Sequence, residues 1–285
     1  MLNTELWKII NNAMTSETQK IPAAVLILPP DGKFHSPDIW SILHRQAGGF
    51  DLVIIDRSHG AAKILPVMAK AAVSLIRDEG QTLGAQLNQA VRGLQNDHVV
   101  FFTDRVLPTH DHWLKRLAEP LTHGADAAFG RNITAPGGNY FIIEDLRRRY
   151  PPQGASAALT IDQCAISRAA LIAKPFPEEP VHDPAAVWCW RNGVAPVYVP
   201  EALAMQDSYL PLKEVMQNAR VYGADRAAAG KRPGLAAELA TALRELAGDI
   251  GYCIAKRKPQ YLWYPFLYRA AIHWGIYSGQ MRGTQ

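Results

Sequence analysis

The chain has 285 residues, a net charge of +4 and a pI near 8.9, with 48% hydrophobic and 20% charged residues. This is ordinary globular composition, long enough to bury a full core without disulfide staples. The mild positive charge suits an anionic ligand or a membrane surface and does not call for nucleic acid.

Cys164, Cys189 and Cys253 are scattered and form no C-x-x-C pair, which fits a reducing compartment. No apolar run reaches the ~18 residues needed to span a bilayer. The first residues carry acids and amides where a signal peptide would need an apolar core. A cytoplasmic protein is expected, attached at most to the inner face of the cell membrane.

In chain order, AAVLILPP (23–30) predicts a buried strand closed by two prolines. SPDIWSILHRQ (36–46) predicts a helix, and FDLVIID (50–56) a second buried strand that ends in Asp56. A short strand at 73–76, a helix at 82–94, a strand at 98–104, a helix at 110–121 and a strand at 125–133 follow. The strands are apolar throughout rather than alternating, and helices separate them. That pattern predicts a mostly parallel sheet covered on both faces, with ligands at the carboxyl ends of the strands. Asp56 and Asp104 both lie at such ends.

The second half is less regular. ALTIDQCAISRAALIAKPFPEEP (158–180) predicts a strand, a helix and a proline-rich loop. AAVWCWRNG predicts a helix stopped by Gly193, followed by a strand at PVYVP. Two further helices and a tail mixing aromatics with Arg269, His273 and Arg282 complete the chain.

Four stretches carry a resemblance that spans residues 21 to 282. FDLVIID with RSHG, GAQLNQAV, VVFFTDRVLPTHDHWLKRL, and CAISRAALIAKPFPEE through GVAPVYVPEA occur in that order. Together they resemble family 2 glycosyltransferases of the GT-A fold, especially the rhamnosyltransferase-like members that build bacterial surface polysaccharides. The resemblance implies an α/β, Rossmann-like, mostly parallel central sheet flanked by helices, with a C-terminal helical extension. The chain is divided into a glycosyltransferase-like domain at 1–225 and a C-terminal helical region at 226–285, whose aromatic and basic tail suits association with a membrane or burial against the core. The resemblance also implies inverting transfer of a sugar from a nucleoside-diphosphate sugar to a glycan or lipid-linked acceptor.

The family's motifs are altered where the chemistry belongs. Arg105 stands where the metal-binding acid is usual, and Asp104 comes one residue early. Asp104 then either holds Mg2+ or Mn2+, or the ribose, or it caps the following turn or pairs with Arg105. Arg105 either replaces the cation, forking onto phosphate oxygens, or marks a lost metal site. Asp56 is a candidate nucleotide contact or a helix cap, and Asn88 is the retained asparagine of the family's GxxRNxA helix. His182 and Asp183 are the candidates for the general base, against a plain Asp-Pro turn. The histidines flanking Asp111 suit a cap better than a metal, and Trp188 and Trp190 divide between core and cleft. Arg147 to Arg149 either meet an anionic lipid-diphosphate acceptor or are solvated. The tail aromatics suit an interfacial helix or burial against the core. The alternative to an active enzyme is a degenerate GT-A domain that binds nucleotide sugar or glycan, or serves as a partner subunit.

Overall fold

The computed structural model of the chain describes residues 22–28, 38–58, 73–77, 79–134, 159–206, 212–231, 234–255, 257 and 259–282. The loop PPDG, Arg147 to Arg149 and Asp207–Ser208 lie outside the described residues.

Eight strands form one sheet: β1 (Ala23–Leu28), β2 (Asp51–Asp56), β3 (Val73–Arg77), β4 (His98–Thr103), β5 (Val106–Pro108), β6 (Ala127–Thr134), β7 (Gln163–Ser167) and β8 (Val197–Gln206). Their order is β3-β2-β1-β4-β7-β6-β8-β5. The pairs β3–β2, β2–β1, β1–β4 and β6–β8 are parallel. β7 runs against both β4 and β6, and β5 runs against β8. The expected mostly parallel sheet is therefore present, with one reversed strand at its centre. The helices are α1 (Ile39–Arg45), α2 (Leu83–Gly93), α3 (Trp113–Thr122), α4 (Arg168–Ala173), α5 (Pro184–Asn192), α6 (Leu212–Ala228), α7 (Leu235–Ala255) and α8 (Tyr264–Arg282).

The continuous apolar strands follow from burial on both faces. Alternate residues of a strand point to opposite sides. Val25, Ile27 and Phe101 pack on one side with Leu87, Val91 and Trp188 from α2 and α5. Leu26, Leu28 and Phe102 pack on the other with Leu43, Trp113 and Leu117 from α1 and α3. Edge-on aromatic contacts finish each layer: Phe101 meets Phe176 at 5.4 Å and Phe102 meets Trp113 at 5.6 Å. Of the two neighbouring tryptophans, Trp188 is core, and Trp190 is half-buried, edge-on to Tyr222 at 5.5 Å.

Helix α2 also holds a loop in place. The Asn88 amide donates to the carbonyl of Phe176 (3.1 Å) and to Glu178 (3.2 Å), and its oxygen accepts from the Phe176 N–H (2.9 Å). One turn earlier, Gly84 lies directly under the Pro177 carbonyl, with no room for a Cβ. Gly84→Ala is therefore expected to lift the 176–178 loop off α2 and to cost about 1–3 kcal/mol in urea unfolding.

At the other end, α8 crosses α6 closely. A Cβ at Gly223 would strike the carbonyl of Ile276, and one at Gly279 that of Arg220. Val215, Ala219, Tyr268, Ile272 and Ile276 form a small separate core there. The domain division drawn at 225/226 falls within α6.

Candidate active site

The carboxyl edge of the parallel strands brings together most of the residues singled out in the sequence. β1 pairs Leu28 with Asp56 of β2, and Ile27 with Thr103 of β4. Asp56 and Asp104 thus flank β1 at nearly the same level, two strand spacings or about 10 Å apart. Both are almost fully buried, at 2% exposure. Asp56 accepts from the Ser58 N–H at 3.0 Å and from the Ser58 hydroxyl, so it organises the turn that leaves β2. Arg77 faces Asp56 from the end of β3.

Asp104 begins the turn between β4 and β5, and Arg105 follows it on the outside. Arg105 is exposed and makes no ion pair among the described residues, so the alternative in which Asp104 pairs with it is not seen there.

Asp183 reaches the same edge through a chain of short bonds. The Thr103 hydroxyl donates to Asp162 at 2.8 Å. The next amide back, that of Ile161, donates to both oxygens of Asp183, at 3.1 and 3.2 Å. Asp183 is also the N-cap of α5, accepting from the Ala186 N–H at 2.9 Å, with Pro184 opening the helix and Gly193 closing it in the left-handed region (φ 63°). Its own N–H and that of His182 donate to the two oxygens of Asp225, at 2.8 and 3.0 Å. Burial pushes the Asp183 carboxyl up from its ordinary 3.8 to about 7; the Ala186 and Ile161 amides pull it down, and Asp162 and Asp225 add to the rise. A carboxyl held near neutrality is the form a general base needs at physiological pH. The His182 side chain is exposed beside it.

Polar atoms left without a partner cluster at this edge. Among the described residues, the buried Gln163 Oε1, Asn132 Oδ1 and Arg131 Nε find no hydrogen-bond partner. Such atoms are what a bound polar ligand would satisfy. Residue 131 falls opposite 162 when the β6–β7 register is extended by one pair of rungs.

The fit to a cation is poor. Among the described residues, no group of three His, Cys, Asp or Glu side chains is placed to hold a metal ion. At the β4 turn the donor set is one buried carboxylate with a guanidinium beside it, far from the oxygen cage that Mg2+ or Mn2+ takes from a protein. The histidines at 110 and 112 stand outside the site: His110 Nε2 bonds the Glu201 carbonyl at 2.7 Å and its Nδ1 accepts from the His112 N–H at 3.2 Å.

Two of these positions, Asp162 and Asp225, were not anticipated from sequence, and a third, Asn88, was anticipated in another role. Asp162 sits just before a strand whose reversed direction no local pattern reveals. Asp225 lies in mid-helix, 42 residues from the turn it holds. Asn88 was expected at the nucleotide; here its amide is engaged by the 176–178 loop.

No family model and no curated protein matches the chain. Solved structures do. Mannosyltransferase PcManGT from Pyrobaculum calidifontis, in complex with GDP-Man and Mn2+, superposes with a TM-score of 0.60 at 13% identity, covering 94% of this chain and 88% of that one. S. aureus TarS 1-349 in complex with UDP-GlcNAc gives 0.50 at 13% identity over 72% of this chain and 66% of that one. Glucosyl-3-phosphoglycerate synthase from Mycobacterium tuberculosis, in complex with Mn2+, UDP-Glc and phosphoglyceric acid, gives 0.50 at 17% identity over 78% and 84%. The chain has the α/β fold of the GT-A glycosyltransferases, with a helical C-terminal part.

Proposed function

We propose that the protein transfers a sugar from a nucleoside-diphosphate sugar to a glycan or lipid-linked hydroxyl acceptor, with inversion, in the assembly of a bacterial surface polysaccharide. The observation that carries this reading is Asp183, a carboxyl raised to about 7 at the carboxyl edge of the sheet and linked through Ile161, Asp162 and Thr103 to the β4 turn. The unpartnered polar atoms of Gln163 and Asn132 at that edge support a polar ligand there.

In this mechanism Asp183 takes the proton of the acceptor hydroxyl as the oxygen attacks the anomeric carbon. Asp56 and Asp104 bound the donor from either side of β1, with Asp56 toward the base or ribose. His182 borders the acceptor side. Arg105 offers its guanidinium to the leaving diphosphate, whose growing charge needs a counter-charge. No step is routed through a metal, because the described residues do not make a site for one. The solved GT-A relatives with bound Mn2+ leave a metal-assisted route as the competing outcome of the test below.

Titration of UDP-, GDP- and dTDP-sugars with and without Mn2+, followed by hydrolysis and transfer assays, tests this. Turnover in EDTA is expected, and Arg105→Ala should lower it by roughly a hundredfold, the scale of losing one charge-stabilising donor. Turnover only with Mn2+ would assign the charge to a cation instead. A second reading, a binding-only GT-A domain, is favoured by the altered motif acids; it predicts nucleotide-sugar binding with no turnover in any buffer.

A further inference from the structure

Helix α7 carries its polarity inside out. Its acids Glu238 and Asp249 are buried, at 5% and 1% exposure, while Leu235, Leu239 and Leu243, spaced four residues apart, stand 48%, 54% and 65% exposed. Ile254 continues that outward face at 64%. The acids turn inward because α8 offers cations there. Arg269 bonds Asp249 at 2.7 Å and Glu245 at 2.6 Å, and His273 bonds Glu238 at 2.8 Å and Glu245 at 3.3 Å. Arg226 of α6 approaches Glu238 at 3.8 Å. With His273 protonated, three acids meet three cations among the described residues.

The outward face of α8 matches that of α7. Phe266, Leu267, Trp274 and Met281 are each about half exposed or more, and Trp263 stands 62% exposed just before the helix. Between the two helices runs an apolar groove of about 380 Å³, walled by Leu239, Leu243, Phe266, Trp274 and Tyr277. So large a continuous apolar face calls for a covering partner.

Charge selects the partner. Lys231 and Arg232 immediately precede α7, and Lys256, Arg257 and Lys258 immediately follow it. Arg244 is exposed on the helix, Glu245 beside it keeps 39% of its side chain exposed while bonding Arg269 and His273, and no acid follows Asp249 in the chain. The apolar stripe is therefore bracketed by cations at both ends. A second copy packed on this face would bring these clusters against each other in an antiparallel pairing and like against like in a parallel one. An anionic bilayer meets both features: acyl chains for the leucines and tryptophans, and phosphate headgroups for the basic ends. No described helix is long and apolar enough to cross a membrane.

We propose that α7 and α8 dock the protein on an anionic lipid surface, with Leu235, Leu239, Leu243, Phe266 and Trp274 entering the acyl boundary. This is independent of the transferase reading, since its test reads binding and not turnover.

Co-sedimentation of the full chain with vesicles of equal parts phosphatidylglycerol and phosphatidylcholine is expected to show binding that weakens with salt. Vesicles of phosphatidylcholine alone should bind at least roughly tenfold more weakly. Leu239→Glu with Leu243→Glu should abolish sedimentation while leaving the circular dichroism spectrum unchanged, because both side chains already face solvent. Lys256→Gln with Lys258→Gln, which leaves the apolar face intact, should weaken binding roughly tenfold or more. Absence of binding to the anionic vesicles, or equal binding to both kinds, overturns the proposal. So does a concentration-dependent dimer, without vesicle binding, that the double leucine substitution dissolves; that result would assign the face to a second copy.

Discussion

Asp183→Asn is expected to lose about a hundred- to ten-thousandfold of transfer rate, the usual contribution of a positioned general base. Donor binding should be retained, since asparagine keeps the cap and nearly the same shape. The pH dependence follows from the raised carboxyl. A base works only when deprotonated, so kcat/KM of the parent should climb with pH through about 7 and then level, whereas the variant shows no such limb. Stability should move the other way. The folded state holds this proton up to about 7, while the unfolded chain releases it near the ordinary 3.8. Stability is therefore lost as pH rises through that window, and the loss is complete above it. The asparagine variant carries no such loss. Its melting temperature, measured across pH, should gain on the parent from about pH 4 to 7 and keep a constant lead above. A variant that is inactive and more stable at pH 8 would separate a functional carboxyl from a structural one. A variant less stable at every pH would make Asp183 simply a cap.

Arg269→Ala should be the most damaging change in the C-terminal helices. It removes the guanidinium that bonds both oxygens of Asp249, 1% exposed, and takes the same cation away from Glu245. Breaking a buried pair from one side costs about 3–5 kcal/mol, a fall in melting temperature of roughly 10 °C for a chain of this size. Adding Asp249→Ala should recover part of the loss, because the stranded charge goes with it; a double-mutant cycle measures that coupling. His273 gives the same network a pH dependence. Burial pulls its pKa down, but its bonds to Glu245 and Glu238 and their charges outweigh this and leave it raised. Its contribution is full below the ordinary 6.5 and is lost as pH rises through the raised value. Amide exchange in α7 should accordingly quicken on the alkaline side.

The sheet was legible because its strands are buried on two faces, which writes them into the chain as unbroken apolar runs such as AAVLIL and HVVFFT. Their ends were legible too, since Asp56 and Asp104 interrupt those runs. Partners were not. Asp225 has no local signature, as its acceptors are spoken for by amides 42 and 43 residues away. The helical spacing of the retained asparagine placed it on α2, yet the loop 88 residues later decides what its amide holds. In α7 the sequence shows two stripes, one of acids and one of leucines, and cannot say which faces in. Arg269 and His273, from a different helix, decide it.

Asp225 and Gly223 lie two residues apart on α6. The first fixes the peptide of Asp183, and the second is where α8 rests on α6. A single turn of helix is thus the common footing of the sheet's acidic edge and of the C-terminal pair. A fragment cut after residue 225 would keep every strand and the Asp225 side chain, but not the helix pair against which that footing bears. The acid's position is then a property of the whole chain, and a protein trimmed to its sheet should be a poor guide to the chemistry of the intact one.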